Sequence, residues 1–411
     1  MRVLLINDYG TPSGGNELVL LRIRSGLRAR GHCVKLFASS ARPGNLPSEA
    51  DDHCLGTTTP FVALLQSANL DAYLRLKGVL KRFRPDVVYV GIFHTQLSPL
   101  ILPLLTEIPS GYFMNFYRPN CMTGLKTLPN GLRCHHALGR VCYQQGCVPL
   151  RDWLPLMGQH WLWRRWHRVF DVVVVESECA RRMMAPEVDV PIRLLRTGFP
   201  CRPMRPALVS PPTVLYAGRL VREKGVEPLV RAFATHVARI SSARLLIAGD
   251  GPFRERLVDL VHDLRVEDSV QFLGHLGSAQ LDEIAARAWV QVVPSLWPEP
   301  LGGVAIEAMM RGTAVIAFAN GGLAETIEDN CAGFLIAPGD EKGLADRLGE
   351  VLADRSLAER LGQAGRKRAS ELYSETVFLD RLEQLLIELA SGNLSKIKRD
   401  RAPPLPQQDA S

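Results

Sequence analysis

The 411-residue sequence contains no apolar run near the ~20 residues that a bilayer-spanning helix requires. Its longest apolar stretches, residues 87–90 and 172–175 among them, are of strand length. Residues 1–8 lead straight into a strand pattern, without the apolar segment and cleavage site of a secretion signal. The expectation is a cytoplasmic protein. Zinc-finger spacing, RNP-type motifs and a Lys-rich tail are also missing, so the net charge of +7 is not read as a nucleic-acid signature. That charge fits an anionic substrate or an anionic membrane surface instead. Nine cysteines in such a chain argue against a disulfide framework. Cys33, Cys54, Cys179, Cys201 and Cys331 are scattered and read as structural.

What is present is an ordinary enzyme composition, 46% apolar and 22% charged, in a chain too long for one core. Short apolar runs alternate with helical patterns, the mark of parallel α/β layers. In the first half, strands are expected at 2–7, 33–38, 86–91, 172–176 and 192–195, with helices at 14–30 and 71–83. Prolines at 200, 203, 206, 211 and 212 mark a linker. The alternation restarts after it, with strands at 214–217, 244–248, 270–273, 290–293 and 314–317. Helices are expected between them at 225–239, 253–264, 281–287 and 303–311, and a short one at 322–328. The division predicted is an N-terminal Rossmann-like domain over 1–200, with a Cys-containing insert at about 116–150. A linker at 201–212, a second Rossmann-like domain at 213–375 and a helix at 376–391 follow, and 392–411 is expected to be disordered. Two such α/β units meet at the carboxyl edges of their sheets, where ligands bind in open α/β folds.

Three segments of the second half sit at strand ends and carry chemistry. In Pro298-Glu299-Pro300-Leu301-Gly302-Gly303, a loop opens a helix whose free N–H groups and dipole suit a diphosphate. Gly302 and Gly303 permit close approach, and Glu307, tilted toward the helix start, can accept hydrogen bonds from a ribose. Glu299 can reach a sugar hydroxyl. The bland alternative is a solvated acidic loop. In Gly218-Arg219 with Lys224-Gly225, a guanidinium fork and an ammonium are placed to neutralise a pyrophosphate; a basic surface loop is the alternative. Gly249-Asp250-Gly251-Pro252 is a tight turn that can line a nucleotide through Gly251. No Asp-x-Asp metal motif appears among these segments.

Together with Gly321-Gly322-Leu323-Ala324-Glu325, these motifs resemble the retaining glycosyltransferases of family 4, from about residue 213 to 375. The resemblance implies the GT-B fold, two Rossmann-like domains facing each other, and a nucleoside-diphosphate sugar as donor. Leu301 stands where the family usually has Phe. The first half resembles the family more loosely, through Gly14-Gly15-Asn16-Glu17 and Arg30-Gly31-His32. The resemblance places Gly14 and Gly15 beside the donor diphosphate, although glycine is frequent in any first strand-to-helix turn. Asn115 aligns with a family His near the reacting sugar. Asn can hydrogen-bond a hydroxyl but carries no proton. His94 is the other acceptor-side candidate, with a structural histidine as its alternative.

Cys121, Cys134, Cys142 and Cys147 cluster in sequence and can be read as a structural zinc site, or as unpaired thiols, since no Cys-x-x-Cys knuckle is present. The segment 153–168 mixes Trp, Leu and Arg. It suits either the surface of an anionic membrane near a lipid-linked acceptor or a core helix with a basic outer face.

The expected activity is transfer of a sugar from a nucleoside-diphosphate sugar to a glycan or lipid-linked acceptor hydroxyl, without a metal cofactor. Retention of anomeric configuration is implied by the resemblance alone. A sugar-nucleotide epimerase on the same scaffold and a donor-binding protein without catalysis remain the alternatives.

Overall fold

A computed structural model describes residues 1–237 and 242–392. The end of the helix expected at 225–239 and nearly all of the tail expected to be disordered lie outside those residues.

Two parallel sheets organise the chain. The first comprises β1 (Arg2–Tyr9), β2 (Cys33–Ser39), β3 (Asp52–Cys54), β4 (Val87–Val90), β5 (Ser110–Met114), β6 (Val172–Val175) and β7 (Ile192–Leu194). The second comprises β8 (Thr213–Ala217), β9 (Arg244–Ala248), β10 (Val270–Gly274), β11 (Val290–Val293), β12 (Ala314–Phe318) and β13 (Phe334–Ile336). Strands β4 and β6 are wholly buried, as expected of β-branched runs covered by helices on both faces. The orders are β3-β2-β1-β4-β5-β6-β7 and β10-β9-β8-β11-β12-β13. Each order reverses once, between β1 and β4 and between β8 and β11. These reversals are the switch points at which open α/β sheets hold ligands.

The last helix, Glu375–Ala390, returns to the first sheet. Its Leu379, Leu382, Leu386 and Leu389 join Val3, Leu5, Leu20 and Leu27 in one buried cluster. Gly26 permits this approach, because a Cβ there would stand 2.4 Å from Leu379 Cδ1. Glu383 adds contacts of 2.6 Å to both Arg30 and His32. The chain thus crosses between the sheets twice, and the crossings run side by side: the Phe199 N–H donates to the Tyr373 carbonyl at 2.8 Å. The proline-rich segment is fixed against the second half, where Arg205 Nε donates to the Gly312 carbonyl at 2.8 Å.

Candidate functional site

Four loops at the carboxyl edge of the second sheet are stacked backbone on backbone. The Gly218 N–H donates to the Ala248 carbonyl at 2.9 Å, and that of Leu220 to the Asp250 carbonyl at 2.9 Å. Gly249 is required for this contact, since a Cβ there would stand 1.8 Å from the Gly218 oxygen. The Leu296 N–H reaches the Glu223 carbonyl at 2.8 Å, and the Gly322 N–H reaches the Glu299 carbonyl at 2.6 Å. The motifs read separately from sequence are therefore one surface.

On that surface Lys224 Nζ donates to Glu299 Oε1 at 2.6 Å. Ser295 Oγ donates to the same oxygen at 2.7 Å. Glu299 is buried, and the Lys224 ammonium also lies 5.1 Å from the centre of the Trp297 ring. Arg219 is exposed, and its guanidinium makes no ion pair with a described residue, while its carbonyl is fixed by Tyr216 Oη at 2.8 Å.

The helix Gly303–Arg311 begins at this surface with Gly302 in the left-handed region, φ 89°, and with no side-chain cap. Four other helices are capped, Asn69, Ser177, Asp340 and Asp354 each accepting a first-turn N–H, whereas Leu150–Trp166, Arg254–Asp263 and Glu375–Ala390 also start without a side-chain cap. The Gly303–Arg311 helix leaves first-turn donors unmatched, the arrangement that suits an anion. Glu307 is half-buried one turn on and accepts no hydrogen bond from a described residue. Leu301 is buried, its carbonyl held by Thr326 Oγ1 at 3.0 Å. The close approaches at Gly251 and Gly303 are internal. A Cβ would meet the Leu220 oxygen at 2.4 Å in the first case and the Phe199 ring at 2.9 Å in the second.

Across from this edge, the helix Gly15–Ala29 is likewise uncapped at Gly14. A Cβ on Gly15 would meet nothing within 4 Å, whereas one on Gly14 would stand 2.6 Å from Glu17 Oε2. Asp8, at the end of β1, is fully buried and accepts the N–H groups of Thr95, Gln96 and Leu97 at 2.7–2.9 Å. Burial pushes its carboxyl up, against the pull of those three donors.

His94 is not open to this edge. It is 2% exposed, 4.0 Å from Phe93 between ring centres and 5.8 Å from Trp163. Burial, with the Arg118 and His160 charges, holds its imidazole well below the usual range and therefore neutral. Its Nε2 has no hydrogen-bond partner. Asn115, at the end of β5, is buried with Nδ2 unpaired.

Trp297 went unread in the sequence. It projects from the loop before Glu299 into the core cluster of the first half, edge-on to Phe116 at 6.3 Å and Tyr117 at 6.2 Å. Its Nε1 and Tyr117 Oη are both buried without partners. Glu325 closes the Gly321–Glu325 motif. Its carboxylate accepts the N–H groups of Glu178 and Cys179 at 2.9 and 2.8 Å, capping a helix of the other half. An aromatic residue in a loop beside a glycine-rich motif was the available signal for Trp297. Nothing local marks Glu325 as a bridge.

The zinc expectation is corrected. Cys121, Cys134, Cys142 and Cys147 are free thiols, and no group of three or more His, Cys, Asp or Glu among the described residues is placed to hold a metal. Without a Cys-x-x-Cys turn no pair of them shares one knuckle. Cys121 Sγ is instead occupied by the Lys126 N–H and the Thr123 hydroxyl, both at 3.3 Å. Burial and neighbouring thiols raise Cys147 to about 11, which keeps it protonated.

Most of the segment 153–168 belongs to the helix Leu150–Trp166, which has a buried side and a basic outer face. Leu156, Gln159 and Trp163 are buried, while Leu154, Trp161, Arg164 and Arg165 face outward. No described helix is long and apolar enough to cross a membrane.

Two family models match, one to each half. Residues 13–202 match the model described as Glycosyltransferase Family 4, and residues 205–368 match Glycosyl transferases group 1. A glycogen synthase of Mycobacterium tuberculosis is 32% identical over 396 residues, covering 90% of each protein. An uncharacterized glycosyltransferase of Methanocaldococcus jannaschii is 37% identical over 161 residues, but that match spans only 39% of this chain and 41% of the relative. Sucrose-phosphate synthase from Thermosynechococcus elongatus superposes with TM-score 0.74 at 24% identity, covering 95% of this chain and 100% of that one. Anabaena HepE, solved in complex with UDP and glucose, gives 0.67 at 19% identity, with 94% and 100% covered. At these identities the structural likeness is one of fold.

Proposed function

This chain belongs to glycosyltransferase family 4 and has the GT-B fold, and from that premise we propose that it moves a sugar from a nucleoside-diphosphate sugar to an acceptor hydroxyl, with retention. The observation that carries the reading is the joining of Arg219, Lys224, Glu299 and an uncapped helix start on one surface. Separation of the sugar from the diphosphate leaves negative charge on the leaving group. Fixed cations and oriented N–H groups stabilise that charge more in the transition state than in the ground state. Arg219 offers a fork and Lys224 a point charge, so these groups take the part that a divalent cation plays elsewhere. Lys224 is shared: Glu299 holds it in place, and Glu299 Oε2 remains for a hydroxyl of the transferred sugar. Glu307 is placed one turn from the helix start to accept from the ribose. HepE was solved with UDP and glucose, which supports a donor of this chemical class without fixing its base or sugar.

In this reading the acceptor lies on the side of the first sheet, with Asn115 as a candidate contact for it, and Gly14 and Gly15 lie beside the donor diphosphate. Acceptors of the glycan and glycolipid class, at the surface of an anionic membrane, fit the net positive charge of +7 and the outward Trp161, Arg164 and Arg165. Thermal melts with UDP, GDP and ADP test the donor assignment, since a ligand stabilises the state that binds it. A rise with one nucleoside diphosphate is expected; no rise with any of them contradicts it.

A further inference from the structure

The helix Glu178–Met184, which follows β6, takes part of its N-terminal cap from the other half of the chain. The first N–H groups of a helix have no partner within it. Two of them are met locally here. The Ala180 N–H donates to Ser177 Oγ at 3.1 Å, and the Arg181 N–H to the Ser177 carbonyl at 2.9 Å. The other two, on Glu178 and Cys179, donate to Glu325 Oε2 and Oε1 at 2.9 and 2.8 Å. Both oxygens of one carboxylate of the second half are thus engaged by the first. The negative charge suits that place, at the positive end of the helix dipole.

The turn that carries Glu325 is built onto the loop that carries Glu299. The Gly322 N–H donates to the Glu299 carbonyl at 2.6 Å, and Thr326 Oγ1 to the Leu301 carbonyl at 3.0 Å. Arg368 braces the same turn, donating to the carbonyls of Glu325 and Thr326 at 3.0 and 2.8 Å. A shift of residues 299–301 is passed to Glu325 through these bonds. On the other side, β6 ends at Val175, whose register partner is Met114, the residue before Asn115. The cap therefore ties the strand ends beside Asn115 to the loop of Glu299. A carboxylate that served the helix alone would have no need to come from the second half, since Ser177 already provides a local cap.

We propose that Glu325 is a positioning residue that couples the donor loop to the first half: a nucleotide that fixes the loop strengthens the cap, and the cap strengthens nucleotide binding. The proposal rests on the transferase reading, which sets the nucleoside diphosphate on that loop. Glu325 is not itself a donor contact, as both its oxygens are occupied. Coupling between two sites is reciprocal, so the effect of the nucleotide on the cap bounds the effect of the cap on the nucleotide.

The test is hydrogen exchange at the Glu178 and Cys179 amides, with and without nucleotide, alongside calorimetry on the same samples. UDP, GDP and ADP are the probes, and whichever binds the wild type best is carried forward. The variants are Glu325→Ala, Glu325→Gln and Glu328→Ala. Glu328 is the control, because its carboxylate reaches Arg368 at 3.1 Å within the second half. In the wild type, bound nucleotide should slow exchange of the two amides by about fivefold or more, the lower end of common couplings. In Glu325→Ala they should exchange faster and no longer respond to nucleotide. Nucleotide affinity should fall in that variant, by no more than the slowing seen in the wild type. Glu325→Gln, which keeps one acceptor oxygen, should lie between, and carries the same comparisons if Glu325→Ala does not fold. Glu328→Ala should respond as the wild type does. Wild-type amides indifferent to bound nucleotide, or a response that persists in Glu325→Ala, would overturn the proposal. So would an affinity loss larger than the slowing, which would put Glu325 in the donor site itself. Absence of binding by all three nucleotides in the wild type would instead strike the transferase reading beneath it.

Discussion

Lys224 and Glu299, 75 positions apart, meet in a 2.6 Å ion pair on which two of the stacked loops converge. The carboxylate is buried and its only other described donor is Ser295. Lys224 is therefore more than a loop lysine reaching into solvent. It neutralises a charge that the fold has already desolvated.

The first prediction follows from that pairing. Lys224→Ala leaves Glu299 short of its partner and should lower stability by about 1–3 kcal/mol. Glu299→Gln in the same chain should restore part of the loss, because no buried charge then remains. Denaturant unfolding of the two single variants and the double variant gives the coupling. Additive effects would mean that the pair does not matter to the folded state.

Glu307 makes no hydrogen bond with a described residue, although it lies one turn beyond an uncapped helix start. Glu307→Ala should weaken nucleoside diphosphate binding roughly tenfold to a hundredfold, the worth of a charge-assisted hydrogen bond, and leave the melting temperature of the free protein unchanged. Calorimetry with UDP, GDP and ADP decides it. Unchanged affinity for the preferred nucleotide removes Glu307 from the ribose.

Glu176, buried at the end of β6, has its carboxyl raised from the usual range to about 7 by loss of solvent, despite a hydrogen bond from Thr197. An acid whose pKa is raised on folding binds its proton more tightly in the native state. Stability should therefore fall as pH rises from about 4.5 to about 7 and level off above, by about 3 kcal/mol in all. Glu176→Gln, neutral throughout and still able to accept from Thr197, should remove that slope. Melting temperatures across this range test it, and a slope retained in Glu176→Gln assigns the effect elsewhere.

Much of this architecture was legible because buried parallel strands are written as continuous apolar runs. The stretches 172–175, 244–248 and 290–293 reappear as strands in the structure. Strand β5, Ser110–Met114, was not assigned, since it opens with Ser and Gly and gains its strand character from neighbours on both sides. The helices Glu341–Ala353 and Arg355–Leu372 also went unassigned, and the return of the last helix to β1 is a tertiary choice with no local mark. At the site, glycine-rich turns disclosed where the chain approaches something closely, but not what. Gly249 and Gly303 turn out to face the Gly218 carbonyl and the Phe199 ring. His94 shows the same limit. Its place after β4 suggested an open edge, whereas Phe93, Tyr112 and Trp163 enclose it. The cysteines were close in sequence, yet closeness along the chain does not set the directions of four sulfurs.

The central claim is that Arg219 and Lys224 stabilise a departing diphosphate. Its most direct test is kcat and KM for wild type, Lys224→Ala and Arg219→Lys, read as acceptor-dependent release of nucleoside diphosphate. Glu299→Gln with Lys224→Ala serves as the variant with the buried charge relieved. Loss of one preorganised donor of this kind typically costs ~10²–10³ in rate, or about 3–4 kcal/mol. The account predicts a fall of that size in kcat for Lys224→Ala, persisting in the double variant. It also predicts a clear loss for Arg219→Lys, since an ammonium cannot reproduce a fork. Folded Lys224→Ala and Arg219→Lys variants that both turn over within about threefold of wild type would contradict it.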